Sequence, residues 1–186
     1  MKTTFKPLGI VAAVAAASAG YAGIVNAQAV LSNNSCLGDM AIVPYYTTQK
    51  GYSTGVSVIN TSADTQIVKI RLRRAVDSMD ALDFNVVLSP NDVYTGFVQA
   101  EGEEIRFYSN DNSCTAPELL PFDEGRTYAP IFEDRIEGAQ EGYIEIIGMG
   151  QAEDEDEVIA IYAEHGSDGV PLDCDIVREN FFVDAL

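Results

Sequence analysis

Four of the chain's 11 lysines and arginines, Lys69, Arg71, Arg73 and Arg74, crowd into one short run, although 29 Asp and Glu leave the whole sequence at a net charge of −18. In "QIVKIRLRR" three of these cations alternate with Val68, Ile70 and Leu72. A strand puts such cations on one face and the apolar side chains on the other. The chemistry open to that stripe is docking, against an acidic partner, a polysaccharide or a second copy of this acidic chain. The plainer alternative is a solvated sheet face whose cations pair with Asp77, Asp80 and Asp83, each pair worth at most about 1 kcal/mol.

The acids suggest a second chemistry, the binding of calcium. Hard cations need several oxygens converging from different chain segments. Glu153, Asp154, Glu155, Asp156 and Glu157 are consecutive, so their side chains point apart and a solvated loop is the simpler reading. Asp168, Asp173 and Asp175 in "SDGVPLDCD" have a Gly and a Pro to shape a turn and form the better calcium candidate. Asp173 also stands where a helix N-cap is expected, with Asp175 in the first turn.

His165 is the only histidine, so any serine–histidine or cysteine–histidine mechanism must use it. No GxSxG elbow is present, and one His with three scattered Cys has no zinc-ligand spacing. In "AEHG" His165 reads as a cation in a last helical turn before Gly. Among so many acids, a carboxylate pair for glycoside-type hydrolysis is an open alternative that no spacing singles out. With no Trp, Tyr45, Tyr46 and Tyr52 are the candidates for a sugar platform.

The elements that position these residues begin after a segment to set aside. Lys2 and Lys6 precede the apolar run "PLGIVAAVAAASAGYAGIV", and "VNAQA" supplies small residues for cleavage after Ala27, or as second choice after Ala29. Residues 1–27 therefore read as a secretory signal peptide. Residues 28–39 read as a flexible arm and 40–186 as the folded domain. Losing Lys2 and Lys6 leaves nine cations against 29 acids, a net charge of −20. Such a chain repels nucleic acid and anionic membrane surfaces. No later run is long enough to span a bilayer.

Export permits disulfides. With three cysteines, at most one intrachain pair forms. Cys114 and Cys174 are the expected pair, since each borders a polar loop and together they staple the C-terminal half to the rest. Cys36 is left over, and "NNSC" lacks the apolar residue of a lipid-attachment site.

Short alternating runs recur about every ten residues. "MAIVPYYTT" is β-rich, with Pro44 marking an edge strand or a bulge. "STGVSVIN" and "QIVKIRLRR" flank the turn "TSADT", whose side chains bond to their own backbone. "DFNVVLSP", "VYTGFV", "EEIRFYS" and "GYIEIIGMG" follow. The pattern predicts a mainly β fold, an antiparallel, Ig-like β-sandwich. Residues 110–141 hold three prolines and no clean period, and read as an irregular loop. "EVIAIYAEHG" and "PLDCDIVRENFF" read as a small helical C-terminal portion.

The succession "GDMAIVPYYT", "GVSVINTSADTQIVKIRLR", "DFNVVLSPNDVYTGFV", "NDNSCTAPEL", "GYIEIIGMG" and "HGSDGVPLDC" resembles the N-terminal part of a group of uncharacterised secreted bacterial proteins of cell-surface type. The likeness covers most of the chain after the signal peptide. It implies an N-terminal β-sandwich at the cell surface and carries no activity. Members of the group tend to be longer. A looser likeness, through the "NTS" turn, is to pilus-chaperone-like and other Ig-like sandwiches, and concerns fold alone.

These readings lead to a secreted, non-enzymatic structural or interaction domain at the bacterial cell surface or in the extracellular space, with the periplasm as another destination. Its expected partner is a protein or a surface polymer. The alternatives are a calcium-dependent adhesive module and a secreted hydrolase using carboxylates.

Overall fold

In the computed structural model, residues 40–123, 125–152 and 154–182 are described. The expected signal peptide, the arm with Cys36, Glu153 of the acidic run and the final 183–186 lie outside the described residues. Among the described residues the strands are β1 (Met40–Thr47), β2 (Ser53–Ile59), β3 (Gln66–Arg74), β4 (Asp80–Leu88), β5 (Val93–Glu101), β6 (Glu104–Ser109), β7 (Cys114–Ala116), β8 (Leu120–Pro121), β9 (Thr127–Pro130) and β10 (Glu141–Gln151). Two short helices follow, α1 (Val158–Ala163) and α2 (Cys174–Phe181). No helix among the described residues is long and apolar enough to cross a membrane.

The strands form two five-stranded antiparallel sheets, in the orders β1-β10-β3-β4-β7 and β2-β5-β6-β9-β8. The fold is thus the expected β-sandwich with a small helical C-terminal portion. Inward residues of both sheets meet in one core, with Val68, Ile70, Leu72 and Phe84 from the first sheet and Tyr94, Val98, Ile105 and Phe107 from the second. Three of these rings lock together there, with Phe84 and Phe107 centroids 5.1 Å apart and Tyr94 stacked on Phe107. Pro44 has the expected consequence: β1 is an edge strand, and its register with β10 shifts between Val43 and Tyr46.

The loop expected over 110–141 is corrected by the structure, because that stretch contains β7, β8, β9 and a 3-10 turn at Glu133–Arg135. Strands of two to four residues are too short to display a period. Their partners define them instead: β7 lies against β4 through Asn85↔Ala116, and β9 lies against β6 through Tyr108↔Tyr128. Pro121 and Pro130 fall at strand ends, where a missing N–H disrupts little of the ladder.

At one end of the sandwich the "NTSADT" turn is built around Asn60, which is buried. Its Nδ2 lies 2.8–3.1 Å from the carbonyls of Asp64, Leu88 and Ser89, and its Oδ1 accepts from the Ser62 N–H and hydroxyl. Side-chain capping of a turn was legible from its residue types. The tie to β4 was not. At the opposite end, β10 and β3 approach so closely at Gly142 that a Cβ there would stand 1.8 Å from the Arg73 carbonyl oxygen. Tyr46 fills the space beside that glycine and donates its hydroxyl to the Ala139 carbonyl at 3.0 Å.

The helices cover the end of the first sheet nearest Asn60. Val87 of β4 points away from the main core, yet it is buried, packed with Ile67, Ile159, Ala163 and Val177. This explains why the alternation of β4 ends in the unbroken apolar stretch 86–88: both faces of the strand are covered there. Asp173 caps α2 as expected, its Oδ1 accepting from the N–H groups of Asp175 at 3.0 Å and Ile176 at 3.2 Å. The Cys114–Cys174 disulfide forms as expected and ties β7 to the first residue of α2 across 60 residues of chain.

Two predictions arise from this packing. Replacing Cys114 and Cys174 together with Ser should lower unfolding stability by about 4 kcal/mol, the chain-entropy value for a loop of this length. Urea denaturation of the oxidised protein and the double variant checks it. Burial pushes the phenols of Tyr46 and Tyr94 well above their ordinary value. The unfolded chain ionises them near pH 10 while the folded one keeps its protons, so stability should fall as pH rises beyond about 10. Tyr46→Phe should flatten that decline and, by losing the bond to Ala139, cost about 1 kcal/mol at neutral pH. Denaturant midpoints measured from neutral to alkaline pH test both effects.

Candidate interaction face

The cation-bearing strand lies in the middle of the first sheet, flanked by β10 and β4. Its outward side chains form rungs with those neighbours. Met40 of β1, Ile147 of β10 and Lys69 stand in one row; Ile42, Glu145, Arg71 and Asp83 stand in the next. Tyr143 and Asp80 flank Arg73 in a third. The helices cover the neighbouring part of this face around Ile67 and Val87, so the three rungs make up its open half.

Every cation of the stripe is engaged. Lys69 and Arg71 share Asp83, at 3.5 and 3.0 Å. Arg73 donates through Nε to Glu145 at 2.9 Å and lies 3.5 Å from Asp80, and Arg71 comes to 4.0 Å from the same Glu145 carboxylate. Arg74 pairs with Asp77 just beyond the strand and donates to the Glu137 carbonyl at 2.7 Å. The hydrogen bond to Glu145 raises the Arg73 guanidinium above its ordinary value. With the Arg71 side chain 25% and that of Glu145 13% exposed, these pairs lie between loose surface contacts and desolvated ones. Lys69, Arg71 and Arg73 are balanced by Asp80, Asp83 and Glu145, and Glu141, the outward residue of β10 beyond Tyr143, accepts from the Tyr45 hydroxyl at 3.0 Å.

Asp77, Asp80 and Asp83 are the acids that sequence proximity suggested. Glu145 is the one it missed. Its only signal is a lone acid between two inward isoleucines in "YIEII". The pairing of β10 with β3 across some 70 positions is what brings it to Arg71 and Arg73.

The calcium candidates are not brought together. Asp168 Oδ1 accepts from the Val170 N–H at 3.2 Å, Asp173 caps α2, and Asp175 pairs with Arg178 at 2.5 Å. Among the described residues no group of three or more His, Cys, Asp and Glu is placed to hold a metal ion.

His165 lies two residues past the end of α1, in a single bridge with Pro171, rather than in a last helical turn. Its Nδ1 is 3.0 Å from Ser89 Oγ and 3.7 Å from Asp92 Oδ2. The trio has the composition of a nucleophilic relay but not its geometry. A relay needs serine and carboxylate on opposite ring nitrogens, and here both face Nδ1. Asp92 Oδ2 also accepts from Ser113 Oγ at 3.1 Å. The arrangement anchors the segment between the helices to the β4–β5 turn.

The other sheet covers its own outer face. Tyr108 points outward by alternation and is nevertheless buried, because Phe97 stacks on it and Phe122 meets it edge-on. Arg106 lies 4.6 Å from the Tyr128 ring centre and Arg126 lies 5.0 Å from that of Phe122. The Tyr108 hydroxyl donates to Glu101 at 2.6 Å. These cation–π contacts make a satellite cluster whose groups satisfy one another.

No family model matches this chain, and neither a curated protein nor a solved structure matches it. The candidate face therefore rests on its own geometry.

Glu145→Gln removes the charge that joins two guanidinium groups across β10 and β3. It should lower stability by about 1–2 kcal/mol, between the values for exposed and desolvated pairs. The Lys69→Ala change, at the more loosely held end of the ladder, should cost less than about 1 kcal/mol. Urea denaturation at low and high salt checks the ranking, and the Glu145 effect should shrink as salt rises.

Proposed function

We propose that this protein is an exported, non-enzymatic structural or interaction domain at the bacterial cell surface or in the extracellular space, and that the open half of its first sheet docks a partner protein or surface polymer. Export rests on the signal-like start of the sequence and on its resemblance to secreted cell-surface proteins. The observation that carries the docking reading is electrostatic. On a chain of net charge −18, the face formed by Lys69, Arg71, Arg73, Asp80, Asp83 and Glu145 is nearly balanced in charge, and it borders the exposed apolar Met40 and Ile42. An acidic partner meets little repulsion there, and the apolar edge supplies area whose burial stabilises contact at about 25 cal/mol per Å². Fixed alternating charges beside it favour one register over others.

The test joins location and binding. Intact mass of the protein from culture fluid and envelope should match a chain beginning at Gln28 with Cys114 and Cys174 oxidised. The purified protein should bind its own envelope fraction. Ile42→Asp combined with Lys69→Glu should weaken that binding about tenfold or more with little change in melting temperature. An uncleaved product kept inside the cell would sink the export reading, and undiminished binding by the double variant would remove the sheet face as the docking site.

A further inference from the structure

The two ends of the sandwich carry complementary features. Among the described residues every lysine and arginine except Lys50 has a carboxylate within 4.0 Å. Lys50 is exposed and stands at the tip of the 3-10 turn Gln49–Gly51 between β1 and β2. The turn is held firmly: the Thr48 N–H donates to the Gln140 carbonyl at 2.8 Å, and the Tyr52 N–H donates to the Gln49 carbonyl at 3.1 Å. Lys50 has a φ of +57°, a left-handed conformation that disfavours a residue with a Cβ. Ser78 and Asn91 share that conformation, and such strain persists where surrounding structure enforces it. Beside it Tyr52 is 66% exposed. The tip thus offers an unpaired ammonium next to a bare aromatic ring.

The other end offers a matching groove. Ile161 of α1 lines it together with Val170, Pro171 and Leu172, and Glu164 and Asp168 are among the lining residues. Ile161, Val170 and Leu172 are 40%, 47% and 65% exposed. The groove is held to the sandwich by His165 on Ser89 and by Asn112 Nδ2 on the Gly169 carbonyl at 3.3 Å. The register places the two features apart. Thr47, which precedes the tip, pairs with Glu141 at the start of β10. Gln151 at the far end of β10 pairs with Gln66, which pairs with Leu88, next to Ser89.

We propose that the Lys50–Tyr52 tip of one copy docks in the Ile161/Val170/Leu172 groove of the next, with the ammonium between Glu164 and Asp168 and the Tyr52 ring on the apolar floor. Because tip and groove lie at opposite ends, the contact is heterologous and propagates copies head to tail rather than closing a two-fold dimer. It uses surfaces separate from the sheet face. It is small for a stable interface, so association is weak and sets in at about 0.1–1 mM, the weak end of the affinity scale. The net charge opposes any approach of copies at low salt. That repulsion is screened beyond about 8 Å at 0.15 M ionic strength, while the docked pair lies within that distance. Association should therefore be stronger at about 150 mM salt than at about 10 mM.

Sedimentation of the exported protein at rising concentration tests this. The wild type should form species that grow beyond the dimer. Lys50→Glu and Glu164→Lys should each weaken association about tenfold or more with unchanged melting temperature. Their equimolar mixture should restore it, because each variant supplies the charge complementary to the other. A wild type that stays monomeric, an assembly that stops at the dimer, persistence in Lys50→Glu, or a mixture that fails to associate would each overturn the proposal. So would a wild type that binds a Lys/Leu peptide in the groove without associating with itself. Neither substitution touches Ile42, Lys69 or their neighbours, so failure here and failure of the sheet-face reading are separately visible.

Discussion

The structure depends on one long-range pairing, the insertion of β10 between β1 and β3. Those two strands lie near the start of the domain, and the strand that joins them comes some 70 to 100 positions later. Without it β1 has no neighbour in its sheet, and Ile144 and Ile146 are missing from the core. Closing such separations is entropically unfavourable until the whole ladder forms, so the domain is expected to gain its stability cooperatively. Gly142 marks how tight the pairing is, since no other residue fits against the Arg73 carbonyl.

That pairing also sets what each part of the first sheet's outer face is for. Near the end of β10 the chain turns through Ala152 into α1, and the helices lie over Ile67 and Val87. The cover is held by a disulfide, by Arg178 donating to the Thr115 carbonyl, and by His165 on Ser89. Farther along the same strands, β10 contributes Glu145 instead of a helix connection, and the face becomes an ion-paired ladder. One pair of strands therefore presents an apolar surface that must be covered and a polar surface that stays open. The boundary falls between Ile67 and Lys69.

Charge organises the remaining surface. With acids in large excess, nearly every cation among the described residues is used internally, across strands, over an aromatic ring or with an acid one to three positions away. Arg106 and Arg126 stabilise the outer face of the second sheet in this way. A cation left unpaired on such a molecule is conspicuous, as is a face where cations and acids nearly balance. Those two exceptions are the basis of the interaction surfaces proposed for this chain.

Much of this was written in local patterns. Alternation over 66–74 determined which side of β3 enters the core, Pro44 marked an edge, Asp173 announced the start of α2, and cysteine position suggested the disulfide. These are short-range properties: side-chain period, backbone restriction and cap chemistry act within a few residues. Glu145 as partner of Arg71 and Arg73, the burial of Tyr108, the strands within 110–141 and the setting of His165 were not legible. Each depends on which distant segment lies alongside, and no residue type encodes its neighbour across a sheet. The sequence by itself determined the sandwich class, the faces of its longer strands and the helix cap. Tertiary structure alone decided whether the basic stripe stands free or paired, because charge compensation depends on distances that only the assembled sheet defines.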